Sequence, residues 1–146
     1  MLDRTAGFGH KRSFVSIFST RFDLIKFGMQ AELRSLISPT LPSGPSDAPE
    51  NPHDCWVVMQ ATIGHGSGDG ADVFTFYVTT PAFLERILDD KGYELGRGLV
   101  VINQFDWKVV EELIKRTCAN ARGDSWETLV QQLSRNFLSE YEDYQS

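Results

Sequence analysis

Trp56-Val57-Val58-Met59-Gln60-Ala61-Thr62-Ile63, then Gly64 through Asp72, then Val73-Phe74-Thr75-Phe76-Tyr77-Val78 is the stretch on which the fold turns. Both flanks are rich in β-branched and aromatic residues, and the second alternates in the period-two manner of a half-buried strand. The interval between them, Gly64-His65-Gly66-Ser67-Gly68-Asp69-Gly70-Ala71-Asp72, supplies the positive-φ residues that a reversal needs. A phosphate-cradling loop would feed a helix and usually carry Lys followed by Ser or Thr, whereas here a strand follows and Lys is absent. A calcium-binding β-roll needs stacked nonapeptides, and this is one imperfect copy. The stretch therefore predicts an antiparallel hairpin with a flexible loop.

Toward the C-terminus, Thr80-Pro81 predicts a helix start, with Thr as cap and Pro at the first helical position. Its stripe is Phe83, Leu84 and Ile87, and Gly92 is placed to end it left-handed. Leu99-Val100-Val101-Ile102 reads as a central strand buried on both faces. Asp106 then caps a helix with Trp107, Val110, Leu113, Ile114 and Cys118 on one stripe and Glu111/Lys115 and Glu112/Arg116 as exposed i,i+4 pairs. Asp124-Ser125-Trp126-Glu127 resembles a capping box led by Asp, opening a third helix that buries Trp126, Leu129, Val130, Leu133 and Phe137. The tail Ser139-Glu140-Tyr141-Glu142-Asp143-Tyr144 alternates acidic and aromatic residues as an edge strand does.

Toward the N-terminus, five of the six prolines fall between Pro39 and Pro52, which makes residues 39–54 a long exposed loop without ladder pairing. Before it, Gln30, Glu32 and Arg34 alternate with Ala31, Leu33 and Ser35 in a first strand running toward Ser38. The whole predicts an α+β domain: a mainly antiparallel sheet of about five strands with three helices on one face.

The chain has 146 residues, enough for one conventional core, and its 41% apolar content excludes wholly disordered and fibrous classes. No apolar run is long enough to span a membrane. Residues 1–28 hold Arg4, Lys11, Arg12, Arg21 and Lys26 against Asp3 and Asp23, a balance of +3 that leaves −9 on residues 29–146 of the overall −6. Residues 1–28 accordingly read as an extension, poorly ordered or arising from a mis-assigned start, and 29–146 as a single domain. Phe14, Ile17, Phe18, Phe22 and Ile25 have the spacing of a basic amphipathic helix, but Arg21 interrupts its apolar side and no signal-peptide cleavage site follows. The acidic balance disfavours nucleic acid, whose phosphates need clustered Lys and Arg, and favours a basic or apolar partner. Two Cys residues, Cys55 and Cys118, form no disulfide framework and suit a reducing compartment, the cytoplasm.

No catalytic machinery stands out. His53, Cys55, His65 and Cys118 lack the paired spacing of a zinc site, so no metal or other cofactor is expected. No G-x-S-x-G elbow is present, and neither Cys sits in a reactive motif. Asp89/Asp90 and Glu111/Glu112 are adjacent helical residues that point apart. Glu140 and Glu142 would share one side of a strand, which could serve a small acidic hydrolase but supplies no cleft. A negative stripe for a basic partner is the simpler use.

From Ala31 onward the chain carries, in order, Ala31-Glu32-Leu33, Ser35-Leu36 and Ser38-Pro39; Asn51-Pro52, Gln60 and Ile63-Gly64; Phe74, Phe76, Thr80-Pro81 and Leu84; Gly96-Arg97, Asp106 and Cys118; Trp126-Glu127, Leu133-Ser134-Arg135 and Tyr141-Glu142-Asp143-Tyr144. In this order they resemble the bacterial immunity protein family eight of polymorphic and contact-dependent toxin systems. The resemblance implies a small non-enzymatic cytoplasmic protein that binds and neutralises a cognate protein toxin, with a basic nuclease as one candidate target. It carries over no catalytic residues, and residues 1–28 have no counterpart. From charge alone the expected toxin contacts are Glu140, Glu142, Asp143 and Tyr144, with Asp89, Asp90 and Glu94. The competing readings are the hydrolase and a generic protein-binding module unrelated to toxins.

Overall fold

Strands β2 (Trp56–His65) and β3 (Ala71–Thr79) pair antiparallel from Trp56↔Thr79 to Gly64↔Ala71 in a computed structural model that describes residues 29–66 and 70–140. Expectations about residues 1–28 fall outside the described residues. The period-two pattern sorts the hairpin into two rows. Val57, Met59, Ala61 and Ile63 face inward with Phe74, Phe76 and Val78, all buried, while Val58, Gln60 and Thr62 form a half-buried outer row with Val73, Thr75 and Tyr77. The strands run further into the glycine-rich interval than the sequence suggests. Gly64 has to be glycine, because a Cβ there would lie 2.7 Å from the Gly70 carbonyl oxygen and from Arg34 Cζ. Arg34 reaches over from the neighbouring strand to donate to the His65 and Gly66 carbonyls at 3.3 and 3.1 Å.

That neighbour is β1 (Ala31–Ile37), antiparallel to β2, with an irregularity between Leu33 and Ser35. The bulge has a purpose. Leu33 and Leu36 are three residues apart and would otherwise point to opposite faces, but the extra residue places them opposite Ile63 and Ala61 on the core side.

The other edge of β3 is shared. β4 (Leu99–Val101) runs parallel beside Tyr77–Thr79, and β5 (Leu138–Ser139) runs antiparallel beside Phe74 and Thr75. The expected doubly buried strand at 99–102 is thus corrected to a three-residue edge strand whose Val101 is exposed. Its run is apolar because it also borders the helical layer. Of the expected tail strand at 139–144, the described residues show only the start: Ser139 pairs with Phe74 in β5, and Glu140 is in a helical turn and not in the strand. Tyr141, Glu142, Asp143 and Tyr144 lie outside the described residues.

A parallel β3–β4 pair requires a crossover, supplied by α1 (Pro81–Lys91), which ends at Gly92 with φ 86°. Thr80 does not cap α1 with its side chain. Its hydroxyl instead accepts the buried Cys55 N–H at 3.1 Å, while the Thr79 hydroxyl donates to the Cys55 carbonyl at 3.0 Å. Phe83 of α1 sits 5.9 Å from the Trp56 ring, itself stacked on Tyr77 at 5.5 Å. The inner row is covered by α2 (Trp107–Asn120) and α3 (Trp126–Leu133). Asp106 caps α2 as expected, accepting from Lys108 N–H, and Trp107, Val110, Ile114 and Cys118 are buried. Of the two expected surface pairs, Glu111–Lys115 closes at 3.1 Å and Glu112/Arg116 does not. The cap of α3 is Ser125, one residue later than the expected Asp124, accepting from Thr128 N–H. Leu129, Leu133 and Phe137 are buried, and Trp126 is half-buried with its indole N–H donated to buried Asp72 at 2.9 Å.

Residues 39–54 make no ladder, as expected, but the segment is pinned at several points. Ser38 donates to the Val58 carbonyl at 2.6 Å, Leu41 is buried, and the Phe105 N–H donates to the Pro52 carbonyl at 2.8 Å.

Candidate functional site

The acidic residues singled out by charge do not converge on one spot that the described residues define. Asp89 and Asp90 occupy the last turn of α1, both exposed, and Glu94 follows two residues beyond its Gly92 cap. Glu94 is committed locally. Lys91 donates to it at 2.9 Å and lies 5.1 Å from the Tyr93 ring centroid, and that hydrogen bond to Glu94 raises the Lys91 pKa. Asp89 and Asp90 have no ion-pair partner among the described residues and keep their charge facing solvent. Glu140 is half-buried, and Glu142, Asp143 and Tyr144 lie outside the described residues.

Around Asp89 and Asp90 the structure gathers what charge alone does not reveal. Leu88 is 43% exposed, Tyr93 62% and Leu95 76%. A protein normally leaves large apolar side chains exposed singly, and three within eight positions beside two carboxylates make a mixed patch of the kind used in protein recognition. Phe83, Leu84 and Ile87 are only half-buried, and Phe83 meets the Trp56 ring. The sequence signal that could have found the patch is that Leu88 falls beside the inward stripe and that Tyr93 and Leu95 stand between Gly92 and Gly96.

Chemistry at the other candidates is quiet. Both thiols are free and buried. Burial pushes Cys118 from 9.0 up to about 11, and burial together with the Asp54 charge raises Cys55, so neither is a ready nucleophile at neutral pH. Arg86 donates to Asp54 Oδ2 and lies 4.9 Å from the Phe83 ring centroid, which fastens the end of the proline-rich segment to α1. No group of three or more His, Cys, Asp or Glu side chains among the described residues could hold a metal ion. Three hollows lie between β4, α2 and the 134–137 turn, and Glu140 is not among the residues that line them. Nor is any described helix long and apolar enough to cross a membrane.

Comparison with known proteins places these features in context. Residues 31–144 match the family model described as Immunity protein 8. No curated protein and no solved structure matches the chain.

Proposed function

The chain belongs to the Immunity protein 8 family, and from that premise we propose that it neutralises one cognate protein toxin by binding it stoichiometrically, without catalysis. The observation that carries this reading is the patch on α1 and its following loop, where Asp89 and Asp90, without an ion-pair partner among the described residues, flank exposed Leu88, Tyr93 and Leu95. Carboxylates there attract a basic partner over a Debye length of about 8–10 Å, and the apolar side chains supply short-range anchoring once contact is made. A surplus of −9 on residues 29–146 adds a long-range field of the same sign. From their charge and aromatic character in the sequence, Glu140, Glu142, Asp143 and Tyr144 remain further candidate toxin contacts. Glu94 contributes less, because Lys91 already neutralises it. A nuclease is the toxin class that fits best, since an enzyme that handles nucleic acid carries clustered Lys and Arg. The cytoplasm fits as the place of action, because both buried thiols stay reduced there.

The test uses the cognate toxin's active domain. Asp89→Lys with Asp90→Lys should slow association and flatten its salt dependence, and leave the urea midpoint nearly unchanged, since exposed charges contribute about 0–1 kcal/mol to folding. Leu95→Ser should speed dissociation. Unchanged rates in both variants, with full protection in co-expression, would remove this patch from the interface.

A further inference from the structure

A second surface has the opposite character. Three adjoining hollows of about 310, 180 and 270 Å³ share Val100 and Leu113 on one side and Thr117, Arg135 and Asn136 on the other, so they form one continuous trough. It follows α2, with β4 as one wall and the 134–137 turn as the other. Its floor is apolar where Val100, Leu113 and Phe137 meet, and at one end Val101 and Val109 stand 53% and 48% exposed. Apolar side chains left open in a concave surface are where a partner gains most by excluding water.

The charges along the trough invert the balance of the domain. Arg97, Arg116 and Arg135 line it against one carboxylate, Glu112. Arg97 is structural, donating to the Ser134 carbonyl at 2.8 Å and the Phe137 carbonyl at 3.4 Å and so holding the turn that forms the wall. Arg116 and Arg135 are exposed, and neither makes an ion pair among the described residues. In a domain of −9 with carboxylates in excess, two guanidinium groups left without counter-charge on either side of an apolar floor are complementary to a ligand that carries its own carboxylates. The β4 edge adds a direction. Its ladder bonds run from Tyr77 N–H to the Gly98 carbonyl and from Ile102 N–H to the Thr79 carbonyl, so the alternation sends the Val101 N–H and C=O away from β3, at the rim of the trough. An extended segment is the backbone shape that meets such an edge.

We propose that the trough docks an extended segment of the partner protein that presents carboxylates to Arg116 and Arg135 and an apolar side chain to Leu113 and Phe137. That the partner is the toxin rests on the function proposed above; the chemistry of the segment rests on the trough alone. The toxin is thus gripped at two surfaces of opposite sign, its basic side by the α1 patch and an acidic segment by the trough.

The probe is the capped heptapeptide ESLESVE, titrated into the ¹⁵N-labelled full chain at low and high salt beside its counterpart with Lys in place of every Glu. The acidic peptide should shift the amides of Val101, Leu113, Arg116 and Arg135, with binding weakened at high salt, and the Lys peptide should not. Arg116→Glu with Arg135→Glu should weaken the acidic peptide by about tenfold or more. Should that variant fold poorly, Arg116→Gln with Arg135→Gln removes the charges without adding like charges beside Glu112. Shifts outside the trough, or binding indifferent to both double variants, would overturn the proposal. Trough shifts that appear on deleting residues 141–146 would make the chain's own acidic tail the occupant, and shifts that depend on protein concentration would make it a second copy; either result also overturns it. Co-expression separates the two claims. Protection retained by the Arg116/Arg135 variants removes the trough from the toxin interface and leaves the toxin reading standing, whereas no protection by the unmodified chain, with the peptide still held in the trough, removes the toxin as partner.

Discussion

Replacing Trp126 with Phe keeps an aromatic ring on the first turn of α3 and deletes the indole N–H that Asp72 Oδ2 accepts at 2.9 Å. Asp72 is buried and sits opposite Ile63 in the hairpin, so this bond fastens the third helix to the glycine-rich end of β2 and β3. A hydrogen bond to a charged group is worth about 1.5–3 kcal/mol. Trp126 is half-buried, so water reaches part of the space that Phe leaves, and Trp126→Phe should cost about 1–2 kcal/mol, toward the lower end of that range. Trp126→Ala also loses the ring contact with His65, whose centroid is 5.1 Å away. It should cost about 3 kcal/mol, the bottom of the range for deleting a large aromatic. Urea unfolding followed by far-ultraviolet circular dichroism avoids the lost fluorophore, and an unchanged slope shows that the two-state comparison holds. A double-mutant cycle with Asp72→Ala isolates the contact, with an expected coupling of about 1 kcal/mol. Single variants within about 0.5 kcal/mol of the unmodified chain and strictly additive would refute the anchor. Leu129 and Leu133 would then hold α3 on their own.

Three further outcomes are expected. Gly64→Ala should destabilise by about 1–3 kcal/mol in urea melts, because the Arg34 guanidinium can move aside and the Gly70 carbonyl cannot; a neutral substitution would mean that the hairpin end yields. Thr80→Val should cost about 1–3 kcal/mol in urea melts by orphaning the buried Cys55 N–H, whereas Thr80→Ser, which keeps the accepting hydroxyl, should cost clearly less; equal losses would contradict the bond. Cys118 titrates at about 11 in the folded chain against 9.0 when unperturbed, so its neutral thiol supports folding fully below about pH 9, and that support is lost as pH rises toward 11. Thermal melts across pH 8–11 should show this alkaline sag shrink in Cys118→Ala, and an identical sag in both proteins would contradict it.

How far the sequence could be read depends on whether a residue's role is local. The β-rich run Trp56–Ile63, the alternation of Val73–Val78 and the glycines between them together point to a hairpin, and the Asp106 cap, the Gly92 stop and the inward stripe of α2 follow from spacing within one element. Thr80 was legible as a boundary and not as a hydrogen-bond partner, because its acceptor role is set by Cys55, 25 residues away. Leu99–Ile102 is apolar for the layer beside it, which composition cannot separate from burial on both faces. The tail pattern at 139–144 suits an edge strand, and Ser139 does pair with Phe74, but the helical turn at Glu140 is not visible in the alternation. Candidate site residues divide the same way. Asp89 and Asp90 are visible as charge, but the exposure of Leu88, Tyr93 and Leu95, the capture of Glu94 by Lys91 and the absence of an Arg116 ion pair among the described residues are facts of three-dimensional arrangement.

The central claim is stoichiometric capture, and an inhibition titration tests it most directly. With the cognate toxin held at a concentration far above the dissociation constant, increasing amounts of the full chain are added and residual toxin activity is measured. Binding predicts a straight fall to zero that ends at one chain per toxin and does not deepen with longer incubation. Loss of toxin activity at a small fraction of that ratio, progressing with time, would mean that the chain acts by turnover.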